Sequence, residues 1–533
     1  MTVYVPEEYT PAEADTLRRY FTNLDGPVFA LVNLPEVVKG ALFARYSRSS
    51  KSLRRLFLDE FVGDLDISGD HSVDATVGLE RAEELYEKVF FEYGDDSVAQ
   101  LVGVHLACEQ ASNLLTKVLE WGRLMSYLEQ STRYIAYDSR IGGRYRFYRD
   151  PAVLSSRYGT RYVGDMDRLF DSYSLLLAKV TDHVRATVDR DPGDSDFVFR
   201  QATRAKALDA VRGVLPAASL SNVGIYGSGQ AFESLLLRMR AHPLPEARHY
   251  ADLMLHELRK VIPSFLRRVD LADRGGRWTN YLATTRERTG ELVESLFGGT
   301  PVDLVPSVQL VDWDRDAEDK LLAAICYSHT NLPETQLLER VRCLGPTERL
   351  ALVRAYVGER ENRRHKPGRA FERINYRFDV LSDYGAFRDL QRHRMLTIEW
   401  QQLTPNHGYV RPELIDDAGL TEVFDDAMAR SAALYDMLKD DFPQQASYAV
   451  SMAYRLRYTM QFNAREAMHM LELRSSPQGH PAYRHIALEM HRLIAEEAGH
   501  HAVAEAMKHM TTLAPELERL DAERRAEGRR GQS

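Results

Sequence analysis

Ala41-Leu42-Phe43-Ala44-Arg45-Tyr46-Ser47 returns later in the chain as Leu322-Ala323-Ala324-Ile325-Cys326-Tyr327-Ser328. Pro245-Glu246-Ala247-Arg248-His249-Tyr250-Ala251 returns as Pro481-Ala482-Tyr483-Arg484-His485-Ile486-Ala487. The first pair is 281 residues apart (Tyr46 to Tyr327) and the second 236 (Arg248 to Arg484). A changing offset means two diverged copies with unequal loops, not a regular solenoid. A chain of 533 residues is also too long for one ordinary core. The expected organisation is an extension over residues 1–27, a first repeat over 28–268, a connector over 269–305, a second repeat over 306–512 and a flexible tail over 513–533.

The formal net charge of -9 gives no general pull toward nucleic acid or an anionic membrane, so neither is an expected partner. Phosphate binding would have to come from a local arginine cluster. No apolar run is long enough to span a bilayer. The start, Met1-Thr2-Val3-Tyr4-Val5-Pro6, lacks the basic-then-apolar form of a signal peptide. Three scattered cysteines, Cys108, Cys326 and Cys343, form no metal or disulfide framework, so a reduced, cytoplasmic protein is expected. None has flanking residues that would make it a nucleophile.

Leu, Ala, Arg and Glu at 3.6-residue spacing predict a mainly helical chain. Thr10-Pro11-Ala12-Glu13 reads as an N-cap, a first-turn proline and a capping-box glutamate. Strands are expected at 28–32, 307–311 and around 376–380. The connector should carry one amphipathic helix, Arg286–Leu296, between Gly275-Gly276 and Gly298-Gly299. From Arg519 onward the chain should fray into disorder. The class is α+β, helix-rich, with two tandem domains.

The repeats differ most where arginines cluster. The first carries Trp121-Gly122-Arg123, then Ser126, Glu129, Ser131, Arg133 and Tyr134; the second carries Arg392-His393-Arg394 and continues to Gln402-Leu403-Thr404. Together they resemble the RHRxxSxNExSxRY signature of flavin-dependent thymidylate synthases. Arg388-Asp389-Leu390-Gln391 before Arg392 resembles that family's RQxxRHR, with Asp389 in place of Gln. Asn463-Ala464-Arg465 followed by Arg474 resembles its NAR…LR helix. Arg212-Gly213-Val214-Leu215-Pro216 resembles its RxxLP, and Arg238 takes the place of Arg474 in the first repeat. Gly94-Asp95-Asp96-Ser97 and His365…Glu372-Arg373 are worn forms of its GHxSxxEH. Gly227-Ser228-Gly229 stands where NAR should be, and Ser447 near where a second RxxLP arginine is expected.

The resemblance, over roughly residues 28–265 and 306–512, implies a tandem pair of such domains. It implies C5 methylation of a dUMP-like nucleotide, with FAD as hydride carrier and NADPH and methylenetetrahydrofolate as co-substrates. Arg392, His393, Arg394, Asn463, Arg465, His469 and Glu129 would contact the cofactor. Ser131, Arg133, Arg212, Arg238, Arg392 and Arg474 would bind the nucleotide, with Arg474 and Ser131 nearest the chemistry. The planar guanidinium fork suits phosphate and pyrimidine carbonyls. The second repeat's RHR would join Ser131 and Arg133 of the first in a composite site, and a homodimer would imitate the family's tetramer. A second reading keeps the fold as a non-catalytic nucleotide or flavin binder. A third is a ferritin-like di-iron protein built on Glu466-Ala467-Met468-His469 and Glu497-Ala498-Gly499-His500; under the first two no metal is expected.

Overall fold

The computed structural model describes residues 4–62, 100 and 102–530. Of the Gly94–Leu101 motif, all but Gln100 lies outside them. The chain forms two compact units, and neither is one continuous repeat. Unit 1 gathers Met1–Ser174, Leu215–Val302 and Ala429–Val450; unit 2 gathers Leu175–Val214, Asp303–Met428 and Ser451–Ser533. Each unit therefore contains a segment from the other repeat, unlike the contiguous boundaries expected from sequence.

Unit 1 holds an antiparallel sheet of β1 (Val28–Leu31), β2 (Gly103–Ser112), β3 (Met125–Glu129) and β4 (Leu220–Ser228), in the order β1-β2-β4-β3. Unit 2 repeats it with β5 (Val308–Trp313), β6 (Asn375–Asp383), β7 (Thr397–Trp400) and β8 (Arg455–Asn463), in the order β5-β6-β8-β7. β8 shows why these residues make a strand. Leu456, Tyr458, Met460 and Phe462 are buried, while the residues between them are more exposed, the two-residue period of a half-buried sheet.

Both central strands of each sheet run directly into a helix whose N-cap is the last strand residue. Ser112 caps Asn113–Leu119, Ser228 caps Gly229–Arg240, Asp383 caps Tyr384–Leu390 and Asn463 caps Ala464–Arg474. Each cap side chain accepts a backbone N–H of the first turn, satisfying a donor the helix cannot satisfy itself. The cap at Ser228 sets the first-repeat triplet matching Asn463-Ala464-Arg465 as Ser228-Gly229-Gln230, one residue later than the sequence comparison placed it.

The N-terminal extension belongs to the core of unit 1. Its Leu17 and Phe21 pack with Phe29, Leu31, Tyr46 and Phe57, and the capping box at Thr10 and Glu13 is present. The Ala429–Val450 segment joins the same unit. Tyr448 and Val450 accept the backbone N–H groups of Ala218 and Ala217, and the Tyr448 hydroxyl donates to buried Glu246, 2.7 Å away. Burial holds the Glu246 carboxyl up to about 7, against hydrogen bonds from Ser112 and Tyr448 that favour the anion.

In unit 2 the borrowed Leu175–Val214 segment is tied down in the same way. Gly213 accepts the Ala453 N–H, and Asp209 pairs with Arg519 at 2.9 Å, both side chains buried. That pair corrects the expected fraying at Arg519. A helix, Leu520–Arg530, follows it, and Arg524 pairs with Asp194 at 2.6 Å. The connector helix is also longer than expected, Gly275–Phe297, because Gly275 lies inside its first turn.

Candidate functional site

In unit 2 the loop after the helix Tyr384–Leu390 lies against the helix Ala464–Arg474. His393 is buried between them, while Arg392 and Arg394 are exposed on either side of it. The His393 Nδ1 is 3.0 Å from the Glu466 carboxylate, and its Nε2 accepts from the Arg474 Nε at 3.0 Å. The guanidinium has no lone pair to offer, so Nε2 must present one and Nδ1 must carry the proton. The chain of bonds therefore has one polarity, from Arg474 through His393 to Glu466.

Burial raises the Glu466 carboxyl to about 7, opposed by Lys366 and Arg465. Burial, then the Arg474 charge, pushes His393 well below its ordinary range, so the ring is neutral. The neighbouring His469 is held at about 4, by burial and then by Lys366, Arg363, Arg474 and Arg465. This end of the unit is crowded with cations.

Arg474 also approaches Asp389, at 3.9 Å, and Arg212 approaches the other Asp389 oxygen, at 3.4 Å. Arg212 comes from the borrowed segment, yet it is buried here beside Gly385. A side-chain carbon on Gly385 would stand 3.1 Å from the Arg212 NH2. That nitrogen is buried with no hydrogen-bond partner. Buried Arg212 and half-buried Arg474 thus share one carboxylate, and one buried donor is left over. Such a cluster suits an anion with several acceptor oxygens.

His393, Glu466 and His469 each bring one ligand atom within 4.8 Å of the others, a spacing that could hold a metal ion. The chemistry opposes it. The Nδ1 lone pair is taken by the proton that the Arg474 bond requires, and four cations face the cluster. The second ExxH does not join it: Glu497 and His500 lie between helices, and His500 bonds the Tyr376 hydroxyl at 2.9 Å.

The Asn463 side chain accepts the Glu466 backbone N–H, and Arg465 donates to the Pro367 carbonyl at 3.0 Å while lying 3.4 Å from Glu372. Ser131 and Arg133 are in unit 1, in the turn after β3, where the Ser131 hydroxyl accepts the Arg133 backbone N–H at 3.2 Å. Glu129, expected at the cofactor, is buried and paired with Lys117 at 3.1 Å. Glu466 and Asp389 are the residues that sequence reasoning underrated.

Unit 1 has a counterpart of the site in altered form. Where His393 stands, Gly122 leaves a space filled by the Tyr127 hydroxyl, 2.5 Å from where a side-chain carbon would be. Arg238, the counterpart of Arg474, lies under the Trp121 ring at 5.5 Å, and burial lowers its pKa. Ser447, which corresponds to Arg212, is a buried serine. The groups that make the unit 2 cluster cationic and ordered, His393, Arg474 and Arg212, thus have Gly122, a covered Arg238 and Ser447 as their counterparts in unit 1.

A family profile described as thymidylate synthase complementing protein matches residues 41–264 and 309–499. Among curated proteins, a UPF0159 protein of Chlamydia pneumoniae is 39% identical over 92% of this chain and 93% of its own length. Another, from Thermoplasma acidophilum, is 32% identical over 91% and 97%. A solved structure of a UMP/dUMP methylase, PolB from Streptomyces cacaoi bound with 5-Br dUMP, aligns at 18% identity and TM-score 0.30. It covers 39% of this chain and 97% of its own.

Proposed function

This chain belongs to the thymidylate synthase complementing protein family, and from that premise we propose that unit 2 binds a pyrimidine nucleotide of the dUMP type and methylates its C5. The observation that carries the reading is the cluster of Arg212, Asp389 and Arg474, with its buried unsatisfied guanidinium nitrogen. The nucleotide phosphate or a pyrimidine carbonyl supplies the acceptors that this nitrogen lacks. His393 holds the Arg474 fork in one orientation, and Glu466 fixes the His393 tautomer that makes this possible.

The exposed Arg392 and Arg394, with half-exposed Arg465 nearby, fit the diphosphate of FAD. Bound flavin would supply the hydride. NADPH and methylenetetrahydrofolate would serve as reductant and one-carbon donor. The protein's part is positioning and charge: arginines draw electron density toward the pyrimidine carbonyls, making the ring more reactive. No protein thiol is needed; burial raises the pKa of Cys108 and Cys326, which suits inert structural thiols.

Titration calorimetry with dUMP and deoxyuridine tests the clamp. The nucleotide should bind at least tenfold tighter, as expected for about 1.5–3 kcal/mol from a charge-assisted contact. Equal affinity would remove the clamp. Flavin content of the purified protein, with Arg392→Ala compared against Arg123→Ala, tests the cofactor arm. Loss in the first variant alone is expected, and equal loss in both would overturn the unit 2 assignment.

A further inference from the structure

The loop between the helix Pro346–Val357 and the turn Arg369–Arg373 is fastened at both ends to the helix Ala464–Arg474. At one end the Arg360 guanidinium donates to both Glu472 carboxylate oxygens at 2.6 Å, each side chain 1% exposed. It also donates to the Ala506 carbonyl at 2.7 Å. At the other end the Pro367 carbonyl accepts from Arg465 at 3.0 Å. Between them the Asn362 side chain accepts the Arg364 backbone N–H, and the His365 carbonyl accepts from the Arg360 Nε. The loop is thus held in one shape, with Arg363-Arg364-His365-Lys366 at its tip.

Its other cations are already matched. Arg369 pairs with Glu372 at 3.0 Å and Arg373 with Glu334 at 3.6 Å. Among the described residues no carboxylate pairs with half-buried Arg363 or with exposed Arg364 and Lys366. Glu359 and Glu361 stand exposed in the same loop without engaging them. Burial lowers the Lys366 ammonium, and Arg465 and Arg363 push the same way against Glu466. After burial, Lys366 and Arg363 are the largest causes of the lowered His469, whose ring is 5.4 Å from that of His393. The tip therefore lies beside the site described above.

We propose that this tip grips the anionic tail of a co-substrate, either the linked carboxylates of a folate glutamate chain or the 2′-phosphate of NADPH. The proposal rests on the methylation reading. Arg392, Arg394 and Arg465 account for the FAD diphosphate, so the three tip cations are surplus to it. Unmatched like charges repel one another, and an anion placed among them gains the attraction of all three. The arginines offer planar forks and Lys366 a point charge, and both suit carboxylate and phosphate. Because Arg364 and Lys366 are exposed, these contacts stay wet and salt-sensitive. Weak contacts suffice for a tail whose other end is bound nearby, since the tether raises its effective concentration.

Calorimetry in the presence of FAD and dUMP tests this, comparing γ-linked tetraglutamate with free glutamate and NADP+ with NAD+. In at least one pair the member with the extra anionic groups should bind the wild type more tightly, and the responding pair identifies the tail. Arg364→Ser and Lys366→Ser together should weaken that member roughly tenfold and leave dUMP affinity unchanged. Lys366→Glu alone should weaken it as well, and serves if the double variant does not fold. No preference within either pair would overturn the proposal, as would a preference that survives both variants. A matching fall in dUMP affinity would also overturn it, by assigning the loop to the nucleotide clamp. Normal dUMP binding without any tail preference would sink the loop alone. A tail preference lost in the variants of a protein that does not bind dUMP would sink the nucleotide reading and keep the loop as an anion site.

Discussion

Glu466→Gln separates the ordering of Arg474 from its mere presence. When Glu466 is ionised it accepts the His393 Nδ1 proton, leaving Nε2 to accept from Arg474. When protonated it becomes a donor toward Nδ1, so the ring proton moves to Nε2 and confronts the Arg474 N–H. His393 does not escape by taking a second proton, because burial and Arg474 hold its pKa far down. With the Glu466 carboxyl at about 7, about nine in ten molecules are ionised at pH 8 and about one in ten at pH 6. If only the ionised form holds Arg474 for the nucleotide, the apparent Kd scales inversely with that fraction and rises about tenfold from pH 8 to pH 6. The nucleotide phosphate itself gains a proton near pH 6, and the Gln variant provides the correction. Its side-chain carbonyl accepts from Nδ1 at every pH, so it should keep wild-type affinity at pH 8 and lose only the phosphate's share at pH 6. Calorimetry at both pH values, in buffers matched for ionic strength, measures the difference. A Gln variant that falls as steeply as the wild type would refute the reasoning.

Two other carboxylates, half-buried Asp389 and buried Glu246, allow further tests. Asp389→Gln removes the group shared by Arg212 and Arg474, so phosphate affinity should rise about tenfold, while low-salt thermal stability without nucleotide falls; unchanged affinity would show that Asp389 does not compete with the ligand. Glu246, held near 7 when folded and near 4.5 when unfolded, binds more protons in the folded state between those values. Stability from this group is therefore greatest in acid and is lost as pH rises toward 7, by about 3 kcal/mol. Glu246→Gln should flatten that dependence in denaturant titrations at pH 5 and 7.5, and an unchanged slope would place the titration elsewhere.

What could be read in the sequence was local. The capping box at Thr10 and Glu13 is decided within four residues, and it forms as expected. The β8 alternation Leu456, Tyr458, Met460, Phe462 has the same local character, although no strand was expected there. Other strands gave less signal. β2 is buried on both faces for most of its length, and β4 carries Gly224 and Gly227 because Phe43 and Met125 press against its backbone. The motif arginines were found by resemblance, and their partners were not. Asp389 lies 177 residues from Arg212, and no local pattern shows that they meet. Nor does a local pattern show that Glu129, expected at the cofactor, meets the buried Lys117, which also pairs with Glu120.

The exchange of segments between the units gives the duplication a permanence that sequence similarity alone does not explain. A cut within the connector would leave two fragments, neither holding a whole unit. The first would lack Ala429–Val450, and the second would lack Leu175–Val214 and with it Arg212. A split at the midpoint would separate Arg212 from Asp389 and Arg474. The first repeat, in which the Tyr127 hydroxyl fills the space beside Gly122, supplies unit 2 with Arg212.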